Sequence, residues 1–269
     1  MKGISILRRY LGIFIRLFKF RLSNQMIYRA SFWTVFIVDV SMFLIQLAVF
    51  STLFLNVDTI NGWNKYQMIF FVGTFNIIDS INMSLFFFGI TSIPYKIREG
   101  KLDIYLTRPV NTLFWLSLEN IDVSSTIVII PGVIMVSYAT AKLGITLTFG
   151  KVAGYLLLLI LMLLLFYSLM LIIRTLSFWF IKTDALNDLE GEMIGFSFRV
   201  PGIVFTGVSK LVLYVLLPYA LLATLPTQYF TTSFSLGHWA LALGVTSAFV
   251  LISQWLWRLG LKNYTSASS

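Results

Sequence analysis

The chain has 269 residues, of which 58% are hydrophobic and only 12% are charged, and its mean hydropathy is +0.87. Soluble domains average about 25% charged residues, so the composition predicts an all-α polytopic membrane protein and leaves no room for a separate ATPase, protease or DNA-binding domain. The net charge of +9 is explained by orientation in the membrane, and no nucleic-acid partner is expected. The absence of cysteine excludes disulfides, thiol nucleophiles and cysteine-ligated metals.

The first predicted element is a basic amphipathic helix over residues 3–22. Its apolar residues recur at steps of three and four, at Ile4, Leu7, Leu11, Phe14, Phe18 and Leu22. Such a helix lies in the membrane interface, with its cations near anionic lipid headgroups. We expect it to set the topology as an anchor or to transmit force, and the two roles are compatible.

Six apolar stretches predict six transmembrane helices. They cover approximately residues 30–55, 68–93, 123–141, 152–173, 210–225 and 238–257. Pro131 and Gly132 predict a kink in the third stretch, and Pro218 predicts an interruption in the fifth. Residues 183–200 are interpreted as a second interfacial helix, and residues 226–237 as a connector.

The distribution of basic residues supports this arrangement. When both termini are placed in the cytoplasm, seventeen of the twenty Lys and Arg residues lie in the inner segments, Lys210 among them. Only Lys65, Lys142 and Lys151 then lie outside. This bias is typical of the positive-inside rule. We therefore predict one membrane domain over residues 1–269, with the N- and C-termini on the inner side.

Four acidic residues are candidates for a pathway or for intramembrane polar contacts. Asp39 lies about a third of the way into the first span and Asp79 lies near the middle of the second. A lone carboxylate is costly in hydrocarbon, so each is expected either to line a substrate or ion pathway or to hydrogen-bond to polar neighbours. Those neighbours are Ser41, Gln46, Asn76 and Asn82. Glu119 and Asp122 lie near the interface, where pairing with an arginine of the connector described below is the simpler account.

No catalytic residue and no metal site is expected on this chain. His238 is the only histidine, and one histidine without cysteine cannot form a histidine-based zinc site. A serine triad would need partners from distant loops, and no nucleotide-binding or metalloprotease motif is present. His238 is therefore interpreted as an interfacial residue at a helix start.

The most densely charged short segment between two apolar runs is PYKIREGKLDIYLTRP, residues 94–109. Such a segment cannot lie in hydrocarbon, so it faces water at the membrane surface. Gly100 is expected to divide it into helical pieces over residues 95–99 and 101–107. Leu102 and Leu106 share one predicted face, which suits docking into a groove on a soluble partner. A solvated loop that carries positive-inside charge is the other interpretation, and the pattern alone favours it.

The run IREGKLDIYLTRPVN resembles the signature of bacterial permeases of the ABC type-2 exporter family, which has the form R-x-G-x-L-D-x-x-L-x-R-P-V-N. The matching residues are Arg98, Gly100, Leu102, Asp103, Leu106, Arg108, Pro109, Val110 and Asn111. Glu99 fits the usual acid before the glycine, whereas Lys101 stands where an acid is more usual. The six-span layout and the amphipathic N-terminal helix also resemble that family, although the 183–200 helix is longer than expected.

The resemblance implies that residues 94–109 are a coupling helix that docks on a cytosolic ABC ATPase dimer. The implied coupling residues are Arg98, Glu99, Gly100, Leu102, Asp103, Leu106, Arg108 and Pro109. It also implies an exporter in the bacterial cytoplasmic membrane, formed with a second permease subunit that is identical or related. ATP and Mg²⁺ would bind the partner ATPase, with no cofactor on this chain. The residues leave open an intramembrane lipid-modifying enzyme, which would need polar residues clustered at one depth, and a channel, for which no filter motif is present.

Overall fold

A computed structural model describes residues 2–27, 29–180 and 182–264 of the chain. These residues form fourteen α-helices and no named strand, which confirms the predicted all-α class. The helices are α1 (Lys2–Ile27), α2 (Arg29–Leu53), α3 (Lys65–Asn82), α4 (Phe88–Thr91), α5 (Ile93–Arg98), α6 (Asp103–Leu106), α7 (Thr112–Leu118), α8 (Val123–Ile127), α9 (Ile129–Lys142), α10 (Phe149–Thr175), α11 (Asp184–Arg199), α12 (Gly207–Leu211), α13 (Leu221–Thr231) and α14 (Leu236–Asn263). π-helical turns at Met83–Phe87 and Val212–Leu216 and 3-10 turns at Leu176–Phe178, Gly202–Val204 and Pro218–Ala220 lie between them.

Five helical stretches are long and apolar enough to cross a bilayer. They are Phe36–Leu53, Lys65–Arg98, Val123–Lys142, Phe149–Phe178 and Leu236–Asn263. A further apolar pair, Gly207–Leu216 and Pro218–Thr231, is bent by 83°. The chain is therefore a multi-pass membrane protein, as its composition predicts.

Polar side chains satisfy the free backbone N–H groups at several helix starts. At α3, Asn64 Oδ1 accepts hydrogen bonds from the backbone nitrogens of Tyr66 and Gln67 at 3.0 and 3.1 Å, and Gln67 Oε1 accepts one from Asn64 at 2.9 Å. At α14, His238 Nδ1 accepts a hydrogen bond from the backbone nitrogen of Ser235 at 3.2 Å. Both are capping boxes. The side chain of His238 thus stabilises the helix start at which the sequence places it.

Helix α10 lies at the centre of the bundle, where it packs against α13 and α14, while α3 packs against α9 and α13. The rings of Phe70, Tyr155 and Phe230 join α3, α10 and α13, with centroids 5.1 to 5.6 Å apart. The hydroxyls of Thr74 and Tyr155 lie 3.0 Å apart in the same buried region. Large buried rings contribute much of the packing energy of such a core.

Helix α11 extends between the two ends of the bundle. At one end Arg174, near the end of α10, contacts Asn187 and Glu190 at 2.5 and 2.7 Å. At the other end the side chain of Asn61, in the loop between α2 and α3, donates a hydrogen bond to the carbonyl of Ile203. The helix predicted over residues 183–200 is present as α11, and its contacts and those of the turn after it reach both ends of the bundle. Its Asn187 and Glu190 find partners inside the protein, whereas Asp188 and Glu192 are exposed.

The bent pair enters the bundle and returns to the same end. Lys210 near its start and Gln228 near its end line one cavity together with Ser235 and His238, where α14 begins. The fifth predicted span is thus a broken apolar pair whose two ends lie close together. Lys210 therefore lies at the opposite end of the bundle from the basic residues with which the sequence groups it.

The predicted connector at residues 226–237 begins too early, since α13 continues to Thr231 with Pro226 inside it. Every residue of α13 from Leu221 to Thr227 is buried. Packing on all sides therefore outweighs the hydrogen bond that the proline cannot donate.

Helices α3 and α9 cross at a pair of glycines. A Cβ atom added at Gly132 would lie 2.8 Å from Cγ1 of Ile77 and 2.9 Å from the carbonyl oxygen of Gly73. A Cβ atom added at Gly73 would lie 2.8 Å from Cβ of Met135. These distances are below van der Waals contact, so the crossing requires glycine on both helices.

We expect Gly132→Ala to lower the thermal stability of the purified protein, because the added methyl group must separate α3 from α9. The matched control is Gly244→Ala on α14, where nothing lies within 4 Å of the added Cβ atom. Alanine is a better helix former than glycine by about 1 kcal/mol, so the control variant should be as stable as the wild type or slightly more stable. Equal melting temperatures for the two variants would contradict the close crossing.

Candidate functional site

The charged segment at residues 94–109, here called the connector, is built around a left-handed turn. Helix α5 ends at Arg98, and Gly100 adopts φ +66°. The backbone nitrogen of Lys101 donates to the carbonyl of Lys96 at 2.9 Å, and that of Gly100 donates to the carbonyl of Ile97 at 3.3 Å. This pair of bonds is a Schellman motif, which favours glycine at the position of positive φ. The positive φ of this turn thus explains why the sequence signature has glycine at residue 100.

The first helical piece of the connector, Ile93–Arg98, begins and ends earlier than the sequence predicts, and the second, Asp103–Leu106, is shorter than predicted. Leu102 is fully buried, whereas Leu106 is 41% exposed, so the prediction that these two leucines share one docking face is wrong. Because the second piece is a single turn, Leu102 points into the protein and Leu106 points outward.

Lys96 joins the connector to the body of the protein. Its side chain is buried, its Nζ forms an ion pair with Glu119, and the same atom donates a hydrogen bond to Ser92 Oγ at 2.8 Å. The ammonium also lies 4.9 Å from the centroid of the Tyr105 ring. The expected pairing of Glu119 with Arg98 or Arg108 is therefore wrong, because Lys96 is the partner. The sequence feature that could have identified this partner is the position of Lys96 at the end of an apolar helix, where its charge needs a counter-charge.

Other charged groups of the connector are also held within the chain. The guanidinium of Arg108 lies 5.2 Å from the ring centroid of Tyr105 and 4.4 Å from that of Trp115. Lys101 Nζ donates a hydrogen bond to the hydroxyl of Tyr95 at 2.5 Å, and this bond raises the pKa of Lys101. These contacts fix the orientation of the connector relative to α7.

The exposed side chains of the connector include Arg98, Glu99, Ile104 and Leu106, and these four are here called the connector face. Ile104 is 58% exposed and Leu106 is 41% exposed, although both lie in the charged segment. Asp103 lies beside Tyr264, whose hydroxyl has a raised pKa, chiefly because of burial and also because of this carboxylate. Sequence analysis did not select Ile104, since nothing in its spacing separates it from the buried Leu102.

Helix α1 braces the connector from one side. Arg9 donates a hydrogen bond to the carbonyl of Pro109 at 2.9 Å, and the hydroxyl of Tyr10 accepts one from the backbone nitrogen of Asn111 at 3.1 Å. The rings of Tyr10 and Phe114 meet edge to face at 4.6 Å. The predicted amphipathic helix thus lies against the end of the connector, and it is longer than predicted. The side chains of Ile4 and Leu7 lie outside those that the structure describes.

The same helix also holds the break between α7 and α8. Arg21 Nε donates to the backbone carbonyl of Glu119 at 2.7 Å, and Arg21 also bonds to the side chain of Asn120. Gln25 donates to Asp122 Oδ1 at 2.7 Å and accepts from the backbone nitrogen of Val123 at 2.8 Å. Helix α1 therefore holds both Glu119, which pairs with Lys96, and Asp122, which caps α8.

The structure gives the four acidic candidates different surroundings. Glu119 pairs with Lys96, and Asp122 caps α8 by accepting hydrogen bonds from Ser124 and Ser125 at 3.2 and 3.3 Å. The expected arginine partner is therefore wrong for Asp122 as well, since the backbone of α8 and Gln25 occupy its oxygens.

The two remaining acids, Asp39 and Asp79, line a cavity of about 450 Å³, to which Asp122 also contributes. The Oδ1 atom of Asp79 is buried and accepts no hydrogen bond from the described residues. The polar neighbours proposed for it have other partners or none: Ser41 donates to Ile37, Gln46 donates to Phe198, and the amides of Asn76 and Asn82 are unpartnered. The alternative in which these neighbours satisfy Asp79 is thus wrong.

Comparison with known proteins gives one family. A family model described as an ABC-2 family transporter protein matches residues 23–268, which include the connector, the cavity and all of the crossings. No curated protein matches the chain.

Gly100→Ala is expected to weaken the turn of the connector by about 1 kcal/mol or more, because an L-residue resists positive φ. Faster amide hydrogen exchange over residues 93–106 should report this change. Gly144→Ala is the matched control, since Gly144 has φ +63° in the loop after α9. The control should lose similar stability without faster exchange in the connector. Unchanged exchange in Gly100→Ala would show that the turn does not depend on glycine.

The Lys96–Glu119 pair is tested by a double-mutant cycle. Lys96→Met or Glu119→Gln alone leaves a buried charge unpaired, and each is expected to cost about 3–5 kcal/mol of stability. The double variant Lys96→Met/Glu119→Gln should lose clearly less than the sum of the two. Lys142→Met, at an exposed lysine, should change stability by no more than about 0.5 kcal/mol. Additive losses in the cycle, measured by thermal unfolding, would rule out direct coupling.

Proposed function

Because the chain belongs to the ABC-2 family of transporter proteins, we propose that it is the transmembrane permease subunit of an ATP-driven exporter in the bacterial cytoplasmic membrane. A transport subunit rather than an enzyme is what the family supports. In this proposal the membrane helices form the substrate pathway as part of a permease dimer. ATP hydrolysis occurs on a separate cytosolic ATPase that docks on residues 94–109.

The observation that carries the proposal is the connector face. Ile104 and Leu106 expose apolar side chains in a segment that is too charged to lie in hydrocarbon. Arg98 and Glu99 are exposed beside them. An apolar centre with charged residues around it suits a groove on a soluble protein, where the apolar part supplies affinity and the charges supply specificity.

The supports behind the connector favour force transmission over a solvated loop. The connector is held by the Lys96–Glu119 pair, by the stacked Arg108 and by α1. A solvated loop needs none of these contacts. A docked element that must move the membrane helices needs a rigid connection to them, because a flexible one absorbs the movement.

The proposal assigns ATP hydrolysis and formation of the substrate pathway to different chains, and this determines the partners. The cytosolic ABC ATPase dimer binds ATP and Mg²⁺, and a second permease subunit, identical or related, completes the pathway. The lipid bilayer surrounds the crossings. In this proposal the coupling residues on this chain are the exposed Arg98, Glu99 and Leu106, and we add the exposed Ile104. Gly100, Leu102, Asp103, Arg108 and Pro109 then shape or position the same element.

For the alternative, an intramembrane lipid-modifying enzyme, Asp39, Asp79 and Asp122 do share one cavity, but Asp122 is engaged in the cap of α8 and the described lining holds no histidine. Glu119 and Asp122 are engaged in structural contacts, and His238 caps a helix at the far end of the bundle. Among the described residues, no three His, Cys, Asp or Glu side chains come together in a group that could hold a metal ion.

The double variant Ile104→Asp/Leu106→Asp is expected to abolish copurification of the ATPase in mild detergent and substrate-stimulated ATP hydrolysis, while the protein still inserts in the membrane. Two buried charges at the centre of an interface cost more than the apolar contacts supply. Leu147→Asp is the control, since Leu147 is 66% exposed in the loop after α9, far from the connector. Charge reversal at Arg98 and Asp103 together should also uncouple hydrolysis from transport. Wild-type copurification by the apolar double variant would refute the proposed docking surface.

A further inference from the structure

The cavity between α2, α3, α8 and α11 is lined by none of the connector-face residues, and its lining is chemically specific. Its volume of about 450 Å³ lies within the range of about 300–1,000 Å³ that is usual for small-molecule sites. Two kinds of side chain stand out in the lining. They are the carboxylates of Asp39, Asp79 and Asp122 and the rings of Phe43, Phe75, Phe87, Phe88 and Phe198.

Only two of the three carboxylates are available to a ligand. Asp122 is occupied by the backbone of α8, by Ser125 Oγ at 2.6 Å and by Gln25. Asp79 Oδ1 is buried and has no hydrogen-bond partner among the described residues. Asp39 lies on the facing helix α2, and no ion pair between it and a described residue is present.

The cavity has little positive charge of its own to offset these acids. Arg199 is the basic residue in its described lining, and this side chain is exposed. It forms no ion pair with Asp39 or Asp79. An unpaired carboxylate that is removed from water is strongly destabilising, so a positive charge brought by a ligand is favoured at this point.

The walls indicate what kind of cation fits. The rings of Phe43 and Phe198 are 5.3 Å apart, and those of Phe75 and Phe198 are 5.1 Å apart, so they form one aromatic surface beside the acids. Phenylalanine faces attract organic cations and bury apolar groups. A metal ion is disfavoured, because the described acids form no group with the geometry of a metal site.

We propose that this cavity binds an amphipathic organic cation, whose charged group lies between Asp39 and Asp79 and whose apolar body lies against the phenylalanine rings. Asp79 supplies the main counter-charge and Asp39 the second. That such a molecule is the exported substrate rests on the proposed function. That the cavity binds it does not, since every residue involved belongs to this chain.

The test uses the full chain in nanodiscs of phosphatidylcholine, with radiolabelled tetraphenylphosphonium as the probe and scintillation proximity as the readout. The wild type should bind the probe saturably. Asp79→Asn and Asp39→Asn should each weaken binding by about tenfold or more, as is usual when one member of a desolvated charge pair is removed. Asp79→Glu should retain a substantial part of the affinity. The control is Asp58→Asn, which changes an exposed acid in the loop between α2 and α3. This variant should bind the probe as the wild type does.

Tetraphenylborate tests the charge itself, because it has the same four phenyl groups and the opposite sign. It should compete at least about tenfold less well than unlabelled tetraphenylphosphonium. Equal competition by the two ions, wild-type binding by Asp79→Asn, or no saturable binding by the wild type would each overturn the proposal.

Thermal unfolding separates a ligand site from a structural role of Asp79. Because Asp79→Asn removes an unpaired buried charge, the variant should be at least as stable as the wild type in the absence of the probe. A large loss of stability would assign Asp79 to the fold and contradict the proposal. Failure of the ATPase to copurify would contradict the proposed function but leave the binding result intact.

Discussion

A lysine ammonium that is removed from water requires a counter-charge within contact distance, and Lys96 finds it in Glu119. This requirement determines how the chain leaves the membrane region after α3. The lysine lies in α5, the first helix of the connector, and the glutamate lies at the break between α7 and α8. The pair therefore ties the second crossing to the entry of the third. Tyr105 and Arg21 add to the same junction, so the connector has one position relative to the bundle.

The same rule explains why a polar helix lies among apolar ones. Helix α11 carries acidic residues that predict a surface position, yet Glu190 is only 2% exposed. It pairs with Arg174 at 2.7 Å and accepts a hydrogen bond from the hydroxyl of Tyr219 at 3.2 Å. Tyr219 belongs to the bent pair, so this buried ion pair and its hydrogen bond join the end of α10, α11 and the bent pair. Asn187 and Glu190, two of the polar residues of α11, thus help to hold this part of the bundle together.

Patterns that depend on local sequence predicted the structure well, and pairings between distant segments were not predictable. Long apolar runs identified most crossings, and the glycine of the signature predicted the break at Gly100, which the structure places at φ +66°. The partners of Glu119 and Asp122 were assigned to the nearest arginines, whereas the structure gives Lys96 and Gln25. Hydropathy could not show the 83° bend in the fifth apolar stretch, because a bent pair and a straight helix are equally apolar. Ile104 and Leu102 are two residues apart, and only tertiary packing decides which one is exposed.

The cavity and the connector share their framework, and this has a consequence for how a docked partner acts. Asp79 and Lys96 belong to one helical stretch, Lys65–Arg98, which contains the π-helical turn Met83–Phe87. At that turn the carbonyl of Ser84 accepts a hydrogen bond from the backbone nitrogen of Asp122 at 2.9 Å. A π-helical turn leaves the helix less tightly bonded than the turns around it. Under the proposed function, a force applied at the connector face reaches Lys96 and Glu119 first, and Glu119 is three residues before Asp122 in the cavity lining. In that proposal, movement of the connector changes the shape of the cavity through the segment from Glu119 to Asp122, which α1 holds on its other side.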